Sequence, residues 1–227
     1  MQRLLVIAFA ALAPLSAFAE TGSPRDVGVY ARAAAGIAFG EALDQDLTWN
    51  PNAVFAPPPP AAKSTDLGEG LSFSAAIGFQ YARTRTELEY RRMESSIDAV
   101  AYSSSPPLVP AAVNDEVVAQ ALMSNVYFDF PNKSRFTPFI GVGVGGARVE
   151  NELGARDAAF AYQGRAGVEL ALGGRLSIGA EYVYFRTMDL VYGPEDEEFT
   201  PTGPAGPRVD GDPFVSSSAM GTVRILF

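Results

Sequence analysis

The stretch Ser218 to Phe227 (SAMGTVRILF) alternates between two kinds of side chain. One face carries Val223, Ile225 and Phe227, whereas the opposite face carries Arg224 among mixed side chains. A period of two residues is the pattern of a β-strand with one apolar face. In a strand that crosses a membrane, the apolar face contacts lipid and the mixed face lines the interior of a barrel. The stretch therefore predicts a membrane strand with Arg224 in the lumen.

The same alternation recurs along the chain in segments of roughly ten to fifteen residues, the length of a tilted membrane strand. The predicted strands are 27–39, 71–82, 84–95, 117–130, 136–149, 160–172, 175–190 and 214–227. The gaps between them alternate long and short. The sequence therefore predicts an all-β fold, an eight-stranded antiparallel up-and-down transmembrane barrel with long extracellular loops and short periplasmic turns.

The N-terminus has the three parts of a secretory signal peptide. Arg3 supplies a positive charge, an apolar run extends from Leu4 to Leu15, and Ala17 and Ala19 are the small residues that a signal peptidase requires. We expect residues 1–19 to be a signal peptide and residues 20–227 to form the barrel domain.

Composition excludes several classes of function. The chain has no cysteine and no histidine, so it lacks a thiol nucleophile, a Ser-His-Asp triad and a zinc site of the usual kind. Its formal net charge of -9 argues against nucleic-acid binding, which requires a basic surface. We expect no catalytic residue, no metal site and no cofactor.

Extending the face assignment to the other strands places charged side chains in the lumen. The predicted lumenal polar network has four arginines and four glutamates: Arg32, Glu87, Glu89, Arg91, Arg165, Glu169, Glu181 and Arg224. A charge inside a narrow barrel must be paired, because desolvation of an unpaired charge is costly. Eight strands enclose an interior that side chains can fill. We therefore favour a structural plug of salt bridges over an ion path or a catalytic carboxylate pair.

The residues Asn125 to Phe130 (NVYFDF) and Phe136 to Gly145 (FTPFIGVGVG) resemble strands of the eight-stranded outer-membrane barrel family that includes opacity-type proteins and bacterial surface antigens. The C-terminal Phe227, with Val223 and Ile225 on the same face, is similar to the signal that such proteins present to the barrel-assembly machinery. The resemblance implies a location in the outer membrane. It does not define an activity, because the family includes adhesins, surface antigens and small pores.

These observations favour an integral outer-membrane protein, not an enzyme, with a structural or surface-exposed role as an antigen or adhesin. The alternative is a narrow porin-like channel for ions or small solutes. A soluble lipocalin-like barrel would instead bury its apolar face. Outer-membrane enzymes of this architecture use a catalytic histidine, which is missing here.

The expected partners are outer-membrane lipids, lipopolysaccharide and, during biogenesis, the barrel-assembly machinery. A host or environmental ligand would bind at the loops 40–70, 96–116 and 191–213. The acidic run Glu195 to Glu198 and the pair Asp210 and Asp212 have oxygen ligands for a hard cation, but neither has the spacing of a calcium loop.

Overall fold

All elements in the described part of the chain are β-strands. The computed structural model describes residues 27–52, 60–103, 116–131, 134–150, 156–173, 175–192 and 207–227. No helix in these ranges is long and apolar enough to span a membrane. The strands are β1 (Val27–Gly40), β2 (Leu43–Thr48), β3 (Ala62–Leu67), β4 (Glu69–Tyr81), β5 (Thr84–Tyr102), β6 (Glu116–Asp129), β7 (Phe136–Glu150), β8 (Arg156–Gly173), β9 (Leu176–Thr187), β10 (Leu190–Tyr192), β11 (Arg208–Gly211) and β12 (Val215–Leu226).

Eight of these strands close into an antiparallel barrel in the order β1-β4-β5-β6-β7-β8-β9-β12. The closing seam joins the first and last strands, β1 and β12, from Tyr30 opposite Leu226 to Gly40 opposite Ser216. Each of the other barrel strands pairs with the barrel strands that come before and after it along the chain, as an up-and-down barrel requires. The predicted eight-stranded barrel is confirmed.

Side chains alternate between the two faces of the wall. Outward residues are apolar and exposed, for example Ile77 at 65% and Val142 at 68%. Both faces of the fourth predicted strand, β6, are mostly apolar, so the sequence alone does not assign Asn125 or Gln120 to a face. In the structure Asn125 points into the barrel and is buried, whereas Gln120 lies on the outer face.

The structure differs from the predicted loops at the extracellular end, where the wall continues as strands. β3 pairs with the distal part of β5, β2 pairs with β3, β11 pairs with β2, and β10 pairs with β11. These four strands, here called the extracellular extension, lie within or at the edges of the predicted loops 40–70 and 191–213. They form because the barrel strands keep their hydrogen-bonding partners beyond the lipid-facing band. The predicted signal peptide and the acidic run Glu195–Glu198 lie outside the described residues.

An apolar cluster fills the extracellular end of the lumen and the base of the extension. Its buried members come from both parts of the wall: Leu43, Leu67, Met93, Val117, Ala119, Ala121, Met123, Ala147, Val149, Ala161, Phe185, Leu190, Val209 and Phe214. Burial of these side chains stabilises the extension on the barrel, since each large apolar side chain removed from water contributes about 1.5–3 kcal/mol.

Candidate functional site in the barrel lumen

The structure places every predicted lumenal residue on the inward face of its strand. Seven of the eight are buried, and Arg224, near the periplasmic end, is partly buried. They come from β1, β5, β8, β9 and β12, which are distant in sequence but converge because alternate residues of each strand face one narrow interior. Below the apolar cluster all of them except Arg91 belong to two groups of ion pairs.

The central cluster consists of Arg32, Glu87, Glu89, Arg165 and Glu181. Arg165 donates from Nη1 and Nη2 to the two Glu89 oxygens, at 3.0 and 2.9 Å. Its Nη2 also lies 3.0 Å from Glu181 Oε1, which Arg32 Nη2 contacts as well. Arg32 Nη1 lies 3.5 Å from Glu87 Oε2. Each carboxylate of this cluster therefore has a cationic neighbour, as buried charges require.

Neutral side chains donate further hydrogen bonds to two carboxylates of the central cluster. The Tyr30 and Tyr127 hydroxyls donate to the two oxygens of Glu87, at 2.9 and 2.7 Å. Asn125 Nδ2 and Gln163 Nε2 both donate to Glu89 Oε2 at 2.9 Å. Tyr127 and Asn125 were missed at the sequence level because β6 has no clear polar face.

Gly143 leaves the space that this arrangement needs. A Cβ atom at Gly143 would lie 1.9 Å from Asn125 Oδ1. Gly143 is therefore required by close packing against the neighbouring strand β6, not by a turn.

The periplasmic cluster consists of Arg85, Asp129, Glu169 and Arg224. Arg85 donates to Glu169 Oε1 at 2.6 Å and to Asp129 Oδ1 at 2.7 Å. Arg224 Nη2 donates to Glu169 Oε2 at 2.6 Å. Arg85 and Asp129 were not among the predicted residues. Arg85 could have been found, because it lies two residues before Glu87 and so on the same face of β5.

Arg91 has a different environment from the other buried arginines. It is fully buried, and Nη2 donates only to the hydroxyls of Ser72 and Ser218, at 3.0 and 2.9 Å. Nε and Nη1 have no hydrogen-bond partner, and no described carboxylate forms a salt bridge with this side chain. The structure therefore brings the predicted network together except at Arg91.

An open cleft of about 720 Å³ lies on the extracellular extension. Its charged lining is mostly acidic and includes Asp44, Asp46, Asp189, Asp210 and Asp212. Asp46 is directly opposite Asp210 in the ladder between β2 and β11. In the described part of the chain, no three acidic groups are arranged to hold a metal ion. The pair Asp210 and Asp212, whose oxygens could suit a hard cation but lack calcium-loop spacing, lies in this lining.

The outward residues Val223, Ile225 and Phe227 are exposed at the periplasmic end of β12, with Phe227 at 67%. The Phe227 amide donates to the carbonyl of Val29 at 2.8 Å, so the terminal residue still belongs to the closing seam. Recognition of these residues by the assembly machinery stays a prediction.

The sequence model of a family described as surface antigen matches residues 68–196, more than half of the chain. No curated protein sequence matches. Among solved structures, Neisserial surface protein A is 14% identical, covers 88% of this chain and 97% of its own, and has a TM-score of 0.52. The outer membrane protein OprG from Pseudomonas aeruginosa is 14% identical, with 87% and 96% covered and a TM-score of 0.56.

The outer membrane protease OmpT from Escherichia coli is also similar, at 9% identity, with 92% of this chain and 99% of its own covered and a TM-score of 0.45. Because the sequence identities are low, the similarity to Neisserial surface protein A and to OprG shows the fold alone.

Proposed function

The chain belongs to this surface antigen family and is an outer-membrane barrel, and we propose that it is a closed, non-enzymatic barrel that presents its extracellular extension at the cell surface. The observation that carries the proposal is the filling of the lumen. Ion pairs occupy its centre and periplasmic end, and the apolar cluster occupies its extracellular end.

In this proposal the Arg and Glu side chains act as a plug. Each ion pair holds side chains from different strands across the lumen, for example Arg165 on β8 and Glu89 on β5. A porin-like channel, the alternative, would require these side chains and the apolar cluster above them to move aside. Breaking such buried pairs is costly, at about 3–5 kcal/mol for removal of one partner.

The non-enzymatic role rests on the absence of histidine and cysteine from the sequence and on the pairing of the lumenal carboxylates. Glu89 and Glu169 both accept hydrogen bonds from arginines, so neither is poised as a general base.

The surface role rests on the ordered extension, whose acidic cleft would favour a basic partner in the environment. Lipopolysaccharide is the proposed lipid partner of the outward face in the outer leaflet.

Single-cysteine labelling tests surface presentation, because the natural chain has no cysteine. We expect Asp46→Cys, on the exposed face of β2, to react with a membrane-impermeant maleimide in intact cells. Arg175→Cys, in the turn before β9, is the matched control and should react only after the cells are lysed. Labelling of Arg175→Cys but not Asp46→Cys in intact cells would overturn the proposed orientation and surface role.

A further inference from the structure

The outer face of the wall changes from uncharged to charged at its extracellular end. Going from the periplasmic end along β5, β7 and β9, the first charged outward residue is an arginine: Arg92, Arg148 and Arg186 respectively. A charge on the lipid-facing side of a barrel is tolerated near the membrane surface but is costly at the midplane. In the proposed orientation of the barrel, these arginines therefore lie at the level of the lipid head groups of the outer leaflet.

Two of the three arginines have no ion-pair partner in the protein. Arg92 Nε lies 2.7 Å from Glu94 Oε1. Arg148 and Arg186 form no salt bridge with any residue that the structure describes. Asp189, three residues beyond Arg186, interacts with it only through space. Because an arginine side chain is always charged, both positions offer a cation to a partner from outside the chain.

Tyrosine side chains surround Arg186. Tyr162 is its ladder partner on β8, and Tyr184 lies two residues before it on the same face of β9 and close to its guanidinium. Tyr162 is 39% exposed, so its ring and hydroxyl are open to the membrane surface. A guanidinium binds phosphate oxygens through two parallel hydrogen bonds, and tyrosine hydroxyls can donate further ones. This group of side chains therefore fits a phosphorylated head group.

Arg148 and Arg186 lie on the two sides of β8. Arg148 is opposite Ala158 and Arg186 is opposite Tyr162, which are four residues apart on β8. With neighbouring strands about 4.8 Å apart and a rise of about 3.3 Å per residue, the two arginine Cα atoms are about 16 Å apart along the wall. Their long side chains can lean toward each other, so they suit two phosphates at the two ends of one head group.

We propose that Arg148 and Arg186 bind the two phosphates of one lipid A molecule, the bisphosphorylated glycolipid part of lipopolysaccharide. Its sugars lie across β8 beside the ring of Tyr162. Its acyl chains follow the wall toward the midplane, where the outer face is recessed: a Cβ at Gly146 or Gly164 would meet no atom within 4 Å. The site thus fixes one lipid at the outer face of β7, β8 and β9.

The direct test is native mass spectrometry of the purified barrel in detergent micelles, with two forms of lipid A as probes. One form carries both phosphates, and the other has the same acyl chains but no phosphate. We expect the wild type to bind the bisphosphorylated form about ten-fold more tightly. Equal binding of the two forms would overturn the proposal, and this comparison needs no variant.

Variants then locate the phosphates on the barrel. Arg148→Gln combined with Arg186→Gln should reduce the preference for the bisphosphorylated form to less than about two-fold. Arg92→Gln is the matched control, because it removes an outward arginine that is already paired with Glu94, and it should keep the full preference. A folded double variant that keeps the full preference would overturn the site. The wild-type comparison decides the question if the double variant does not fold.

The lipid site rests on the proposed function, because lipid A meets these arginines only if β7 and β9 reach the cell surface. Binding in micelles does not depend on orientation in cells, whereas the maleimide labelling tests orientation without any lipid. Surface labelling as expected, together with no preference for phosphorylated lipid A, would overturn the site alone. Equally tight binding of phosphatidylglycerol, a phospholipid with one phosphate, would also overturn it, since the arginines would then bind anionic lipids without selection.

Discussion

Arg165 joins Glu89 and Glu181 in the middle of the lumen, so its removal tests the ion pairs at the scale of one residue. Arg165→Met leaves the buried Glu89 carboxylate without its salt-bridge partner and leaves Glu181 with Arg32 alone. We expect the free energy of unfolding to fall by about 3–5 kcal/mol, measured by urea unfolding in micelles.

The matched control for this change is Arg92→Met, which breaks the partly exposed pair with Glu94 on the outer face of β5. Such pairs contribute less than about 1 kcal/mol. Adding Glu89→Gln to Arg165→Met neutralises the carboxylate left without a partner and should restore part of the loss. Equal losses for Arg165→Met and Arg92→Met would show that the lumenal pairs do not stabilise the barrel.

Ala82 is the only non-glycine residue with a positive φ in the described part of the chain, at 54°, in the turn between β4 and β5. This left-handed conformation is costly for a residue with a Cβ atom. Ala82→Gly should therefore raise the free energy of unfolding by about 0.5–1 kcal/mol after allowance for the flexibility of glycine in the unfolded chain. The control is Ala33→Gly in β1, where the strand is regular. This change should lower the free energy of unfolding by a similar amount, as measured by urea unfolding.

Among the strands, the closing seam between β1 and β12 depends on close backbone approach at Gly36. A Cβ at this position would lie 2.0 Å from the carbonyl oxygen of Ala219 and 2.6 Å from Met220 Cα. Backbone atoms cannot move aside as a flexible side chain can. Gly36→Ala should therefore destabilise the barrel by about 1–3 kcal/mol and lower the fraction that stays folded on electrophoresis without heating.

The control for the seam is Gly146→Ala on β7, since a Cβ there meets no atom within 4 Å. This variant should fold as the wild type does. If Gly36→Ala folds as well as Gly146→Ala, β1 and β12 are less closely paired than the register indicates.

At the level of elements, period-two alternation predicted all eight wall strands, because lipid on one side and a filled lumen on the other impose opposite polarity on adjacent residues. The same pattern is present in β2, where Leu43, Gln45 and Leu47 face inward and Asp44 and Asp46 outward, but its inward glutamine and short length hid it within a loop. β10 and β11 are shorter still. Such strands depend on partners that are distant in sequence.

For the molecule as a whole, we predict that insertion into the outer membrane depends on the C-terminal signal at Phe227. Phe227 is largely exposed and makes no side-chain contact that the fold requires. Phe227→Ala, which keeps the backbone hydrogen bond to Val29, should therefore strongly lower the amount of folded barrel in the outer membrane of cells while leaving refolding of purified protein into micelles nearly unchanged. Equal loss in both settings would show that Phe227 acts in stability instead of assembly.

The lumenal site was predictable where a strand has one clearly polar face, as at Glu87, Glu89 and Arg165. It was not predictable at Asp129 and Tyr127, because both faces of β6 are mostly apolar. Sequence gives the side of a strand on which a charge lies, but not its partner across the barrel. The isolation of Arg91 therefore emerges only from the register of all the strands together.

The proposed function depends above all on a barrel lumen that is closed to ions. Conductance of the purified protein in planar lipid bilayers tests it most directly. Because ion pairs and the apolar cluster fill the interior, we predict no reproducible single-channel steps at any applied voltage that the bilayer withstands. Reproducible steps of constant size, present in independent preparations, would contradict a closed barrel and establish the porin-like alternative.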